Sequence, residues 1–336
     1  MMKDIGYAED TGISPVAVSQ PFQLFSKDAV EQMRAEILSP HMPEAHAFRS
    51  NLAANQLRGY SPKNAEFTYD AWTHPQTLAI ISQIARIPLV PEMSYEIGHI
   101  NFSVKSEQQT QDERAEVESR KRLYEEDEGI AGFPWEDEKP VVGWHTDSYP
   151  FVCVLMLSDC KGMVGGETAL RSASGDILKV RGPQMGCAVI LQGRYITHQA
   201  LRALGARERI TSVTSFRPKS PFARDDTVLN TVRPISDLSE LYYQFSEYRL
   251  EILEARIRKK LKDVREMDRA GKRFDSHAMK DFLVEQERFM NHTNHEIVAE
   301  DEVATGHIDE IDVPDVKMVA AVVPIDARTP KRTRVG

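Results

Sequence analysis

Apolar and polar positions along the chain change texture several times, and each change marks a different kind of element. Between residues 1 and 92 the pattern is helical: Ala29, Met33 and Ile37 recur at helical spacing behind Ser26, a natural N-cap, and Leu78, Ile81 and Ile84 do so behind Thr73 and Pro75. The stretch from Tyr95 to Val104 reads as a strand. From Lys105 to Lys139 there are twelve acids and six bases with few aliphatic residues, the pattern of a charged, partly helical insertion (105–140) long enough to lie over a site as a lid. Between Val141 and Pro218, short runs of Val, Ile, Leu and Thr are broken by glycines at 162, 165, 166, 175, 182, 186, 193 and 205. Several short strands at such spacing predict a sandwich or barrel. Beyond Pro221 the helical pattern returns, with Leu238, Leu241, Phe245, Ile252 and Ile257 along one long segment, most often a core or dimer face.

These textures divide the chain into a mostly helical segment (1–92), a strand-rich core (93–220), a C-terminal helical segment (221–305) and an extended tail (306–336) that contains Pro314, Pro324 and Pro330. Composition narrows the class. Charged residues make up 28% and apolar residues 41%, ordinary globular usage. The net charge of −9 argues against nucleic acid as a partner. No apolar run reaches the roughly 18 residues of a membrane span, and the N-terminal MMKDIGYAEDTG lacks the pattern of a secretory signal, so a cytoplasmic protein without a membrane partner is expected. Cys153, Cys160 and Cys187 form no CxxC pair and are expected to be buried thiols.

The chemistry is concentrated in the glycine-broken region. If the string Gly143-Trp144-His145-Thr146-Asp147 is extended, His145 and Asp147 leave one face of it. His198, 51 residues after Asp147 in a second apolar segment, is a candidate third ligand. Two imidazoles and a carboxylate on one face of an octahedral ion leave three positions open, the arrangement that suits non-haem Fe(II) oxygenases. Alone, an HxD pair is weak evidence. Eleven residues after His198, strand alternation in RERITSVTSF puts Arg209, Thr211, Val213 and Ser215 on one face, so a guanidinium fork and a hydroxyl point the same way, suited to a carboxylate. Asn101 and Ser103 alternate on the first predicted strand and are candidate contacts for a cosubstrate or substrate; His99 shares their parity, but an isolated strand histidine is usually not a ligand. Arg194 follows Gly193 in a turn and is expected in a salt bridge, and Gly165 with Gly166 are expected to give a tight turn of positive φ.

With HTD at 145–147, GGET at 165–168, GPQMG at 182–186, His198, and Arg209 with Thr211 in RERITS, the sequence resembles the Fe(II)- and 2-oxoglutarate-dependent dioxygenases over residues 93–218. The run HTDSYPFVCVLMLSD with RPKSPFARDDTVL resembles a fungal small-molecule branch associated with secondary metabolism. The resemblance implies an α+β fold, a double-stranded β-helix (jelly roll) with flanking helices. It implies His145, Asp147 and His198 as ligands of a catalytic Fe(II), Arg209 and Thr211 as contacts of the cosubstrate 2-oxoglutarate, and O2 as oxidant. His198 and the arginine stand one residue further apart than in the commonest plant members, which keeps Arg207 as a second candidate anchor. The implied substrate is a small molecule, an amino acid or amino-acid-derived metabolite, that undergoes hydroxylation, desaturation or oxidative cyclisation. A homodimer through the C-terminal helical segment is compatible with the pattern. The competing class is a non-catalytic jelly-roll protein that binds a metal or a carboxylate.

Overall fold

A computed structural model of the chain describes residues 1–126, 140–161, 163–180 and 184–308; part of the charged insertion (127–139), Gly162, the start of GPQMG with Gly182, and the tail from 309 lie outside the described residues. Eight strands build the centre: β1 (His99–Val104), β2 (Pro140–His145), β3 (Phe151–Met156), β4 (Thr168–Arg171), β5 (Ile177–Val180), β6 (Cys187–Leu191), β7 (His198–Leu201) and β8 (Glu208–Pro218). They form two antiparallel sheets, one in the order β6-β3-β8-β1 and the other β5-β4-β7-β2. The chain crosses from one sheet to the other at nearly every connection, so strands distant in sequence become neighbours and a cavity is left between the two inner faces. Short strands extend the first sheet: Phe22–Gln23 beside β6 and Gln56–Leu57 beside β1.

Period-two alternation decides what each face of the first sheet meets. On β3, Val152 and Val154 line the cavity, while Phe151, Cys153 and Leu155 belong to the outer core. That outer face is covered by α1 (Lys27–Ile37), α2 (Glu66–Thr73) and α3 (Pro75–Ala85), with Trp72 wedged between Phe25 and Phe216 at ring separations of 5.4 and 6.3 Å. Trp72 is fully buried, and its truncation to Ala should cost about 3–5 kcal/mol.

Several local expectations needed adjustment. Ser26 caps α1, its hydroxyl accepting from the Ala29 amide at 3.2 Å, but Val30 rather than Ala29 joins Met33 and Ile37 among its buried residues. Thr73 ends α2 instead of starting the next helix; His74 caps α3, accepting from the Gln76 amide, and Pro75 opens it. The expected strand from Tyr95 begins only at His99, because Ser94–Glu96 coils into a 3-10 turn and Gly98, with φ of 75°, breaks the chain before the strand. Of the cysteines, Cys153 is buried whereas Cys160 and Cys187 are partly exposed, since Cys160 lies in the loop after β3 and Cys187 is the first residue of β6.

The charged insertion opens with α4 (Glu107–Glu126), and the C-terminal part contributes α5 (Leu238–Arg269) and α6 (Ser276–Glu296). Asp237 and Asp275 cap α5 and α6 through their carboxylates. Leu241, Phe245, Tyr248 and Ile252 of α5 pack with Tyr95, Tyr149 and Phe289, whereas Leu250, Ile257 and Leu261 on the same helix are exposed. Among the described residues no helix is long and apolar enough to cross a membrane.

Candidate metal centre

In the second sheet, β7 and β2 run side by side in a register that places His198 opposite His145, with ring centroids 4.4 Å apart. Asp147 lies past the end of β2, so strand alternation alone does not deliver it, contrary to the expectation of an extended HTD segment. Its position comes from a turn held by its own amide, which donates to the carbonyl of Gly193 at 2.9 Å. One carboxylate oxygen then stands 3.5 Å from His145 Nε2 and the other 3.5 Å from His198 Nε2.

The other nitrogens fix what these rings present. His145 Nδ1 bonds the Gly143 carbonyl at 2.7 Å and His198 Nδ1 bonds the Ile196 carbonyl at 2.9 Å. A carbonyl only accepts, so each Nδ1 carries a proton, and each ring in its neutral form turns an Nε2 lone pair towards Asp147. The three donor atoms lie within 4.8 Å of one another. Two atoms bound about 2.1 Å from one ion at roughly 90–110° stand about 3.0–3.4 Å apart, close to the separations here. Asp147 Oδ2 is buried without a hydrogen-bond partner among the described residues, the condition of an oxygen whose partner is an ion. The donor set therefore fits a divalent metal.

Burial would raise Asp147, but the two histidines and Arg194 outweigh it and hold its carboxyl below the ordinary range. Burial lowers His198 and keeps its Nε2 free of a proton. In His145 burial also acts downward, yet the bond and charge of Asp147 prevail and raise it. Arg194 forms no carboxylate pair through its Nε, which donates to the Asp226 backbone carbonyl at 3.0 Å.

Gly193 is as much part of this geometry as the ligands. A Cβ built there would lie 1.7 Å from Asp147 Oδ2, so the turn must pass the carboxylate without a side chain. The sequence marked Gly193 only as a turn. Gly165 and Gly166 both take the expected positive φ, 79°, but Gly165 pairs with Ala203 in a short two-stranded ladder instead of making a turn, and a Cβ on it would come within 2.7 Å of the Arg202 carbonyl.

Facing the triad is a cavity of about 450 Å³, within the range of small-molecule sites. Arg209, Thr211, Val213 and Ser215 of β8 all line it, as do His99, Asn101 and Ser103 of β1. Antiparallel register pairs Arg209 with Ser103 and Thr211 with Asn101, so the four candidate cosubstrate residues are two neighbouring cross-strand pairs. Burial lowers Arg209, with Cys160 and Glu167 acting the other way, and its Nε has no hydrogen-bond partner among the described residues. Arg207 is exposed and meets Lys105 through its backbone carbonyl, outside the cavity.

A second polar cluster in the cavity wall was not foreseen. Arg58 Nη2 pairs with Glu96 Oε1, which also accepts from the Tyr149 hydroxyl at 2.8 Å. Arg58 Nη1 meets His99 Nδ1 at 3.2 Å, and His99 Nε2 meets Gln56 Oε1 at 2.9 Å. Because arginine only donates, His99 Nδ1 is the acceptor and Nε2–H the donor; both nitrogens are used. Burial and the Arg58 charge push His99 well below its ordinary range. Parity places His99 on this face, but Gln56 with Arg58, Glu96, and Tyr149 come from three separate segments with no common pattern.

No family model matches the sequence, and no curated protein matches it either. Among solved structures the chain is similar to a Pseudomonas putida prolyl-4-hydroxylase (17% identity, 60% of this chain and 93% of that one, TM-score 0.34). It is also similar to an oxidoreductase of the 2OG-Fe(II) oxygenase family from Burkholderia pseudomallei (14%, 57% and 79%, TM-score 0.35). A third is the non-haem α-ketoglutarate-dependent epimerase SnoN from nogalamycin biosynthesis (12%, 60% and 77%, TM-score 0.38).

Proposed function

We propose that the chain is a non-haem Fe(II)- and 2-oxoglutarate-dependent oxygenase of a small molecule, built on a double-stranded β-helix. The observation that carries this reading is the coincidence, in one cavity, of a His-Asp-His set presenting two bare Nε2 atoms with an arginine that has an unpartnered Nε and a hydroxyl two residues on. The alternation of strands between two sheets supports the jelly-roll architecture.

His145, Asp147 and His198 would hold Fe(II), which together with 2-oxoglutarate and O2 supplies C–H oxidation when bound. Everything else is work for the protein. The Gly143 and Ile196 carbonyls orient the two imidazoles and fix their tautomers. Arg209 forks the distal carboxylate of 2-oxoglutarate and Thr211 donates a hydroxyl bond, with Ser103 and Asn101 across the strand pair. The valine-rich walls exclude water and hold the substrate C–H where it reacts. Hydroxylation, desaturation and oxidative cyclisation are all within this chemistry, and an amino acid or amino-acid-derived metabolite of fungal secondary metabolism is the substrate class the sequence resemblance supports. In the same reading the protein is cytoplasmic, residues 93–220 are its catalytic core between helical segments 1–92 and 221–305, and the exposed Leu250, Ile257 and Leu261 offer a homodimer face.

The test is anaerobic titration of purified protein with Fe(II) and then 2-oxoglutarate. One Fe(II) per chain and a weak visible charge-transfer band are expected, followed by succinate release on admitting O2. Stoichiometric zinc retained through purification, with no band after exchange for Fe(II), overturns the proposal.

A further inference from the structure

We infer that the substrate is an uncharged, largely apolar molecule, and that the Arg58–Glu96 pair, tied to Tyr149 and His99, exists to keep the wall it meets electrically neutral. This rests on the oxygenase reading, because that reading decides which charges in the cavity are already committed.

Among the described residues, the charges lining the cavity fall into three groups. His145, Asp147 and His198 converge on one another and belong to the metal. Arg209 stands with Thr211 at the cosubstrate end, where Gly166 closes on it: a Cβ on that glycine would be 3.6 Å from Arg209 Nε. The third group is Arg58 with Glu96, of opposite charge and in direct contact. His99 adds no charge, since its two nitrogens are engaged by Arg58 and Gln56. Arg58 Nε has no hydrogen-bond partner among the described residues and can donate to a neutral carbonyl, but the charge of Arg58 is matched by Glu96, so no net charge in the described wall is left over for a carboxylate or an ammonium on the substrate.

The order along the sheet keeps these groups apart. Register along β1 and β8 runs from Ser103/Arg209 through Asn101/Thr211 to His99/Val213. At about 3.3 Å per residue, His99 lies roughly 13 Å along the strand from Ser103. The cavity thus has a charged cosubstrate end and a neutral end. Around the neutral end the inner faces carry Val152, Val154 and Leu191, and the C-terminal part adds Val232, Ile235 and Ile308. Ile308 is fixed there by a bracket: Asn51 Nδ2 donates to the Ile308 carbonyl at 2.8 Å and the Ile308 amide donates to Asn51 Oδ1 at 2.9 Å. A charged group brought here would lose its water and gain no counter-ion, the costly case. This narrows the substrate to an uncharged derivative and away from a free amino acid.

The experiment compares three probes of one skeleton, 4-phenylbutanamide, 4-phenylbutanoate and 4-phenylbutylammonium. Binding to the full chain loaded anaerobically with Fe(II) and 2-oxoglutarate is followed by calorimetry. The amide should bind, with each charged probe about tenfold weaker or more. Equal or tighter binding of either charged probe, or no binding of the amide, overturns the inference. In Glu96→Gln the Arg58 charge is unmatched, and preference should move towards the carboxylate; an unchanged preference in a folded variant removes the pair from its assigned role. Should that variant fail to fold, the wild-type comparison still decides. The charge-transfer band is recorded in the same samples. Its absence sinks the oxygenase reading, whereas its presence with a carboxylate preference sinks only the substrate class.

Discussion

Histidines on the two walls of the cavity are treated in opposite ways. On the second sheet, His145 and His198 each spend one nitrogen on a backbone carbonyl two residues earlier and leave the other bare beside a carboxylate. On the first sheet, His99 has both nitrogens engaged, by Arg58 and Gln56, in a cluster whose charges cancel. Residue type, burial and strand location are similar. What separates a ligand from a buttress is the second nitrogen, and that depends on which partners the fold brings to it.

The sharpest break in this contrast is Asp147→Ala. It removes the anion that faces both bare nitrogens, and the expected result is loss of Fe(II) binding and of turnover beyond the roughly 10–100-fold that follows removal of an outer partner. Equilibrium dialysis with Fe(II) checks it; near-native affinity would mean that the ligands lie elsewhere. Next in size is Arg209→Ala. A lost bidentate, charge-assisted contact is worth on the order of 2–4 kcal/mol, so the apparent Michaelis constant for 2-oxoglutarate should rise about 30-fold to nearly 1000-fold, with iron affinity little changed. Arg209→Lys should recover part of this. Arg207→Ala should match wild type, since Arg207 is exposed outside the cavity; the reverse pattern in a 2-oxoglutarate titration would move the anchor to Arg207.

Gly193→Ala tests the geometry rather than the chemistry of the triad. All three ligands remain, but the new methyl would overlap Asp147 Oδ2 and force the carboxylate aside. Metal affinity should fall about 10–100-fold, the scale of a misplaced ligand, while the circular dichroism spectrum stays that of wild type. Unaltered metal binding would show that the turn yields and that Asp147 is not held by it.

How much of this was legible in the sequence follows from range. Strand alternation is a local property, and it correctly placed Arg209, Thr211, Val213 and Ser215, and likewise Asn101 and Ser103, along one inner face. The pairing of Arg209 with Ser103 joins residues more than a hundred positions apart, and alternation supplies the face but not the register. Asp147 illustrates the limit: its place depends on a bond to Gly193 across the fold, so the extended HTD segment was the wrong reason for a convergence that does occur. The Arg58–Glu96–Tyr149 cluster was invisible because its members lie on three separate segments, and no spacing rule links the residue after a short strand, a 3-10 turn and the loop after β2.

The smallest effect separates His99 from the triad by pH. An ordinary histidine titrates near 6.5, and burial with the Arg58 charge holds His99 well below that in the folded chain. Above 6.5 the ring is neutral both folded and unfolded, and the residue contributes no pH dependence. As pH falls below 6.5 the unfolded chain takes up a proton that the folded chain refuses, so stability is lost at up to about 1.4 kcal/mol per pH unit until the depressed folded value is reached. In His99→Gln an amide can still accept from Arg58 and donate to Gln56, and this loss disappears. The variant should be about 1 kcal/mol less stable than wild type at pH 7, for imperfect hydrogen bonds, and should close or reverse that gap by pH 5.5, a relative change of roughly 2–4 °C in Tm for a chain of this size. Fe(II) affinity should be unchanged within about twofold, because His99 offers no free nitrogen. Parallel melting curves for the two proteins between pH 7 and 5.5 would mean that His99 titrates normally in the folded chain, and a fall in Fe(II) affinity would erase the distinction between the two walls.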